Sequence, residues 1–167
     1  MNHPVAESRA QSSMVDQNKQ PDLRLEFFSR PVFLGVIRRM LDSLFVRVGI
    51  HEEQAAQLCL AVDEAITNII RHGYHNDPDG RIELQVTILT EPTRELVLEL
   101  LDQAKCVDLD TIRSRDLDDI RPGGLGVHLI TEIMEQAEYS HRPEGGMRLV
   151  MRYPLPEEPI GSTNQDG

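Results

Sequence analysis

Leu58, Val62, Ala65 and Ile69 recur three or four residues apart, and Cys59, Ile66 and Ile70 widen the same apolar stripe. A segment so patterned reads as a helix, from about His51 to His72, pressed along most of its length against a core. Its other side carries Glu64, Asn68 and His72 at i, i+4 and i+8, which a regular helix stacks in one column. A carboxylate and a carboxamide one turn apart have the chemistry of a base and a metal ligand. Glu and Asn on a helix are also what a solvated surface looks like, and this segment alone leaves both readings open. His72 suits the negative end of the helix dipole, and Gly73 suits a C-terminal stop.

The rest of the chain supplies the partners for that helix. Leu23, Leu25 and Phe27 alternate as a first strand, and Pro31 opens a helical face that runs through Phe33, Leu34, Ile37, Leu41, Leu44, Phe45 and Val48 to Gly49. After the turn-rich His75–Gly80 segment, Ile82 to Ile88 and Leu96 to Leu100 alternate as a hairpin about Glu91-Pro92-Thr93. A charged stretch, 108–121, precedes Gly123-Gly124-Leu125-Gly126 and a third helix through Val127, Leu129, Ile130, Ile133 and Met134. Tyr139–Arg142 and Met147–Tyr153 form a last hairpin about Glu144-Gly145-Gly146. The economical solution is α+β: a two-layer sandwich in which about three helices cover one face of a mixed, mostly antiparallel sheet. Residues 1–20 read as a disordered N-terminal tail, 21–153 as one domain, and 154–167 as a flexible, acidic, Pro-rich tail.

With 167 residues the chain has room for one real core. A net charge of −11 argues against nucleic acid and against an anionic membrane as partners. Cys59 and Cys106 are too few for a disulfide framework, and no apolar run approaches membrane-spanning length, so a cytoplasmic protein is expected.

Two further signals bear on chemistry. Glycines ahead of a helix let backbone N–H groups approach an anion at its positive end, and Gly123-Gly124-Leu125-Gly126 has that form without the P-loop spacing. A flexible loop is the alternative. Asp102 follows the apolar strand Leu96–Leu101, where a carboxylate can accept a hydrogen bond from an exocyclic amine or merely cap the strand end.

In this order, Glu64-x-x-x-Asn68, then Asp102, then a charged loop and Gly123–Gly126 resemble the Bergerat (GHKL) ATP-binding fold shared by gyrase, MutL and histidine kinases. The wording AVDEAITNIIRHGY and GGLGVHLI looks most like the anti-sigma-factor serine kinases, over roughly residues 20–153. The resemblance implies a serine/threonine-protein kinase that binds ATP and Mg²⁺. Asn68 would be the metal ligand and Glu64 the general base. Asp102 and Ala104 would lie at the adenine, with Met147 beside them. Gly123, Gly124, Leu125 and Gly126 would lie at the phosphates, behind a lid of residues 108–123. It also implies a STAS-domain anti-anti-sigma protein as substrate, a sigma factor or similar regulator as captive, and a homodimer in which residues 23–48 supply an interface. No helical hairpin bearing a phospho-acceptor His accompanies the motifs, so a self-contained sensor histidine kinase is not expected. Two departures stand out. The family's Asp-x-Gly reads Asp102-Gln103-Ala104, and the Thr that usually follows the closing glycine is Met147. They raise the alternative of a non-catalytic interaction module with a degenerate nucleotide site.

Overall fold

The computed structural model describes residues 19–105 and 125–157, the latter without the side chains of 125–127. The expected lid, the two expected tails up to residue 18 and from 158, Cys106, Gly123 and Gly124 lie outside the described residues, as does the side chain of Leu125.

Among the described residues five strands, β1 (Leu23–Phe28), β2 (Arg81–Leu89), β3 (Glu95–Asp102), β4 (Gln136–His141) and β5 (Met147–Pro154), form one sheet in the order β1-β2-β3-β5-β4. All four pairings are antiparallel, the limiting form of the mostly antiparallel sheet read from the sequence. Three α-helices, α1 (Leu34–Arg47), α2 (Glu52–Asn68) and α3 (Leu125–Ile133), supply the second layer.

Period-two patterning decides which face of the sheet is covered. Ile82, Leu84 and Val86 of β2, Leu96, Leu98 and Leu100 of β3, and Leu149 and Met151 of β5 join a core with Ile37, Leu41 and Phe45 of α1. Leu58, Val62 and Ile66 of α2 and Ile130 of α3 complete it. Each such side chain contributes about 1.5–3 kcal/mol of burial, so this cluster fixes how the helices lie on the sheet. The opposite face holds a small apolar island, Leu89, Val97 and Val150, among long charged side chains. There Arg24 pairs with Glu83, Arg81 with Glu26, Arg148 with Glu99 and Arg152 with Glu95. Among the described residues no helix is long and apolar enough to cross a membrane.

Local chemistry sets the helix ends. Pro31 opens a 3₁₀ turn, Pro31–Phe33, that leads into α1. Glu52 and Glu53 sit in the first turn of α2, where carboxylates favour the positive end of the dipole. The α-helix then stops at Asn68, four residues short of the expected end, and continues as a π turn, Ile69–Gly73. Tyr74 N–H donates to Ile69 O at 2.9 Å and Asn76 N–H to Ile70 O at 2.8 Å. The wider turn takes His72 out of the register that would stack it above Asn68. The helical segment ends at Gly73, as expected, but without a left-handed glycine: the left-handed residues are His75 (φ 52°) and Asn76 (φ 64°) just beyond. A Cβ at Gly73 would lie 3.1 Å from the Ala104 methyl, and close approach is what keeps the position small.

Strand β4 begins at Gln136, three residues before the expected start. Gln136 and Glu138 face away from the helices, and their polarity hid the alternation from a reading keyed to apolar residues.

Candidate functional site

Helix α2 and the end of β3 meet at one rim of the sandwich. Glu64 and Asn68 are half-buried on α2, whose last turn feeds the π turn. The amide nitrogen of Asn68 is buried and has no hydrogen-bond partner among the described residues. An N–H group left unsatisfied in that setting costs about 1–3 kcal/mol. The negative charge of Glu64 is felt by Tyr139 on β4. Burial first, and that charge second, push the Tyr139 hydroxyl up to about 12. Arg71 and His72 are exposed. Just before Glu64, the buried Asp63 pairs with Arg38 of α1 and ties the two helices together. Burial raises the Asp63 carboxyl and Arg38 opposes the rise.

Asp102, only 4% exposed, is the last residue of β3. One of its carboxylate oxygens accepts the N–H of Ala104 at 2.9 Å and that of Met147 at 3.2 Å. Burial raises its carboxyl, and these two bonds and the Arg142 guanidinium counter the rise. Arg142 also donates to the Asp102 main-chain carbonyl at 2.7 Å. On the other side Gly146 (φ 90°) lies so close that a Cβ there would fall 2.0 Å from the same carbonyl oxygen. Only glycine fits this approach.

The two departures from the family pattern acquire a physical meaning. Met147 offers its backbone N–H, not its side chain, to Asp102, so the missing hydroxyl does not leave the carboxylate loose. The Ala104 methyl points toward Gly73, and the residue is 7% exposed. Its bulk is absorbed between β3 and the π turn. The Gly73–Ala104 contact also joins the two halves of the site, because Gly73 closes the turn that follows Asn68.

The structure therefore brings Asp102, Ala104 and Met147 together and links them to the Asn68 end through the π turn. Gly126 lies in the first turn of α3. Sequence reasoning missed Tyr74 and Arg142. Tyr74 closes the stretch AVDEAITNIIRHGY without a role assigned to it there, and it reaches the same strand end, its hydroxyl accepting from Gln103 N–H at 2.8 Å. Arg142 was read only as the end of a strand.

Among the described residues no group of three or more His, Cys, Asp or Glu side chains could hold a metal ion. The donor set at Asn68 is one carboxamide, whose oxygen is a hard ligand. That fits a Mg²⁺ ion completed by phosphate oxygens and water better than a site enclosed by protein ligands.

The chain is similar to the serine-protein kinase RsbW of Oceanobacillus iheyensis, at 27% identity over 138 residues, which cover 78% of this chain and 85% of that protein. It is similar to RsbW of Bacillus subtilis at 24% identity, over 72% and 78% of the two chains. Among solved structures, the histidine kinase domain of the Erythrobacter litoralis EL346 blue-light activated histidine kinase matches with a TM-score of 0.48 and 16% identity. That match covers 75% of this chain and 60% of that one. The model of the histidine kinase-like ATPase domain matches residues 27–153, most of the chain and all of the site just described, and the chain belongs to that family.

Proposed function

We propose that this protein is an ATP-dependent serine/threonine-protein kinase of the partner-switching type. It phosphorylates a small STAS-type antagonist and holds a sigma factor or similar regulator when that antagonist is phosphorylated. The observation that carries the reading is the placement of Glu64 and Asn68, half-buried one turn apart on α2, at the rim where Asp102 ends β3. A kinase needs a hard oxygen ligand and a base close together, and the carboxamide oxygen of Asn68 and the carboxylate of Glu64 are groups of those two kinds. The names of the relatives support the choice of a protein as phosphoryl acceptor.

In this mechanism Asp102 accepts the exocyclic amine of adenine, its carboxylate held in place by the Ala104 and Met147 amides. Gly123, Gly124, Leu125 and Gly126 offer backbone N–H groups to the phosphates at the start of α3. Asn68 presents its carboxamide oxygen to Mg²⁺, which when bound neutralises phosphate charge as it develops. Glu64 takes the proton of the acceptor Ser or Thr hydroxyl as its oxygen forms a bond to the γ-phosphorus. The bond from that phosphorus to the bridging oxygen breaks, and ADP leaves with the electron pair.

The degenerate-module alternative draws its force from Ala104 and Met147. It loses that force where the methyl packs against Gly73 and the Met147 backbone holds Asp102. Calorimetry with Mg-ATP tests the kinase reading. The native chain is expected to release binding heat and Asn68→Ala to lose it. No heat from the native chain sinks the proposal. With labelled ATP and a STAS-domain protein, Glu64→Ala is expected to keep binding and lose transfer.

A further inference from the structure

The register of β2 and β3 pairs Ile82 with Asp102, so Arg81 and Gln103 should form the next rung of the ladder. They do not meet directly. The hydroxyl of Tyr74 stands between them, accepting from Gln103 N–H at 2.8 Å and donating to Arg81 O at 2.5 Å. A phenol has one proton to give and lone pairs to receive, and both capacities are used. The ring is held flat from behind, since a Cβ at Gly80 would come within 2.5 Å of its atoms. Tyr74 comes from the residue directly after the π turn, so that turn carries a wedge into the sheet at the point where Asp102 ends β3.

We infer that Tyr74 is a positioning residue for the base end of the nucleotide site, resting on the ATP reading above. Its hydroxyl splays β2 from β3 and fixes the Gln103 peptide. The Ala104 N–H that follows is thereby aimed at the Asp102 carboxylate. Arg142 and Gly146 hold the preceding Asp102 carbonyl from the other side, so the peptide between Asp102 and Gln103 is clamped at both ends. Without the hydroxyl the ladder closes by one rung or the Gln103 N–H turns away. Either change moves the carboxylate that selects adenine and leaves the phosphate end untouched.

The test compares the native chain with Tyr74→Phe in two measurements. In the ligand-free protein, amide hydrogen exchange should accelerate at Gln103 and Ala104 while the amides of Leu96 to Leu100 keep their native rates. In nucleotide titrations, ATP affinity should fall by about 3- to 10-fold, the effect of one lost hydrogen bond. Mg-GTP affinity should stay unchanged, so the preference for ATP over GTP shrinks by the same factor. A purely structural tyrosine would weaken both nucleotides alike, and that result overturns the inference. So does native exchange at Gln103 in the variant. Native chain that binds no ATP overturns the kinase reading and this inference with it. ATP binding with an unchanged ATP-to-GTP ratio in Tyr74→Phe overturns this inference alone.

Discussion

Opposing effects meet on the Asp102 carboxyl. Burial raises it, while the Ala104 and Met147 amides and the Arg142 guanidinium pull it back, and burial wins. A carboxyl raised in the folded state adds stability that is complete below its unfolded value and is lost as pH rises through its folded value. Asp102→Asn cannot ionise and keeps an acceptor oxygen for both amides. Its unfolding free energy relative to the native chain should therefore climb as pH rises from the ordinary carboxylate range through the raised range of Asp102, then level off. Asp63 is raised too but is common to both proteins, so it cancels from the difference. Urea unfolding at a series of pH values checks this, and a difference that falls with rising pH contradicts it. ATP affinity of the native chain should weaken as pH drops through the same window, because the adenine amine donates best to the ionised oxygen.

The junction of the π turn with the end of β3 is where one element limits another. Gly73 has no left-handed φ, so alanine there should gain about 0.5–1 kcal/mol from reduced freedom of the unfolded chain. Against that stands the 3.1 Å approach to the Ala104 methyl, an overpacking of a kind that costs about 1–3 kcal/mol. The sign thus depends on residue 104. Gly73→Ala should be destabilising in the native background and stabilising once Ala104→Gly has removed the methyl. The double-mutant cycle should give a coupling above about 0.5 kcal/mol. Additive effects would mean that the two residues do not share the space. This junction also marks the limit of what the chain discloses in advance. The α2 stripe, the hairpins and Asp102 were legible because period and order are written in apolar spacing. The π turn was not, because Ile69-Ile70 continue the helical pattern and only the contacts of Gly73, Tyr74 and Asn76 widen it. Tyr74 and Arg142 escaped for the same reason. Each acts by reaching the backbone of a strand distant in sequence, across 29 residues to Gln103 and 40 to Asp102. No local pattern encodes such a reach.

Across the whole molecule, charge is distributed unevenly between sign and pairing. The chain carries 28 acidic and 17 basic residues, a net charge of −11. Several of its arginines are committed to the open face of the sheet, where Arg24, Arg81, Arg148 and Arg152 each meet a glutamate. Arg24 and Arg81 are more than half exposed, so those pairs add little and weaken with salt. Arg152 and Glu95 are much less exposed, at 14% and 19%, and salt screens such a pair far less. The unpaired excess of carboxylates repels itself at every salt concentration where the Debye length exceeds their spacing. Two responses to salt therefore compete, and the repulsion of a −11 chain outweighs two weak exposed pairs. Raising NaCl from about 20 to about 300 mM, which cuts the Debye length from roughly 20 Å to roughly 6 Å, should raise the melting midpoint. A midpoint that falls would mean that the ion pairs of the open face hold the sheet more strongly than their exposure allows. Arg152→Met shifts both contributions in the same direction. It deepens the negative charge by one and removes the most buried of these pairs, so its salt-dependent gain should exceed that of the native chain.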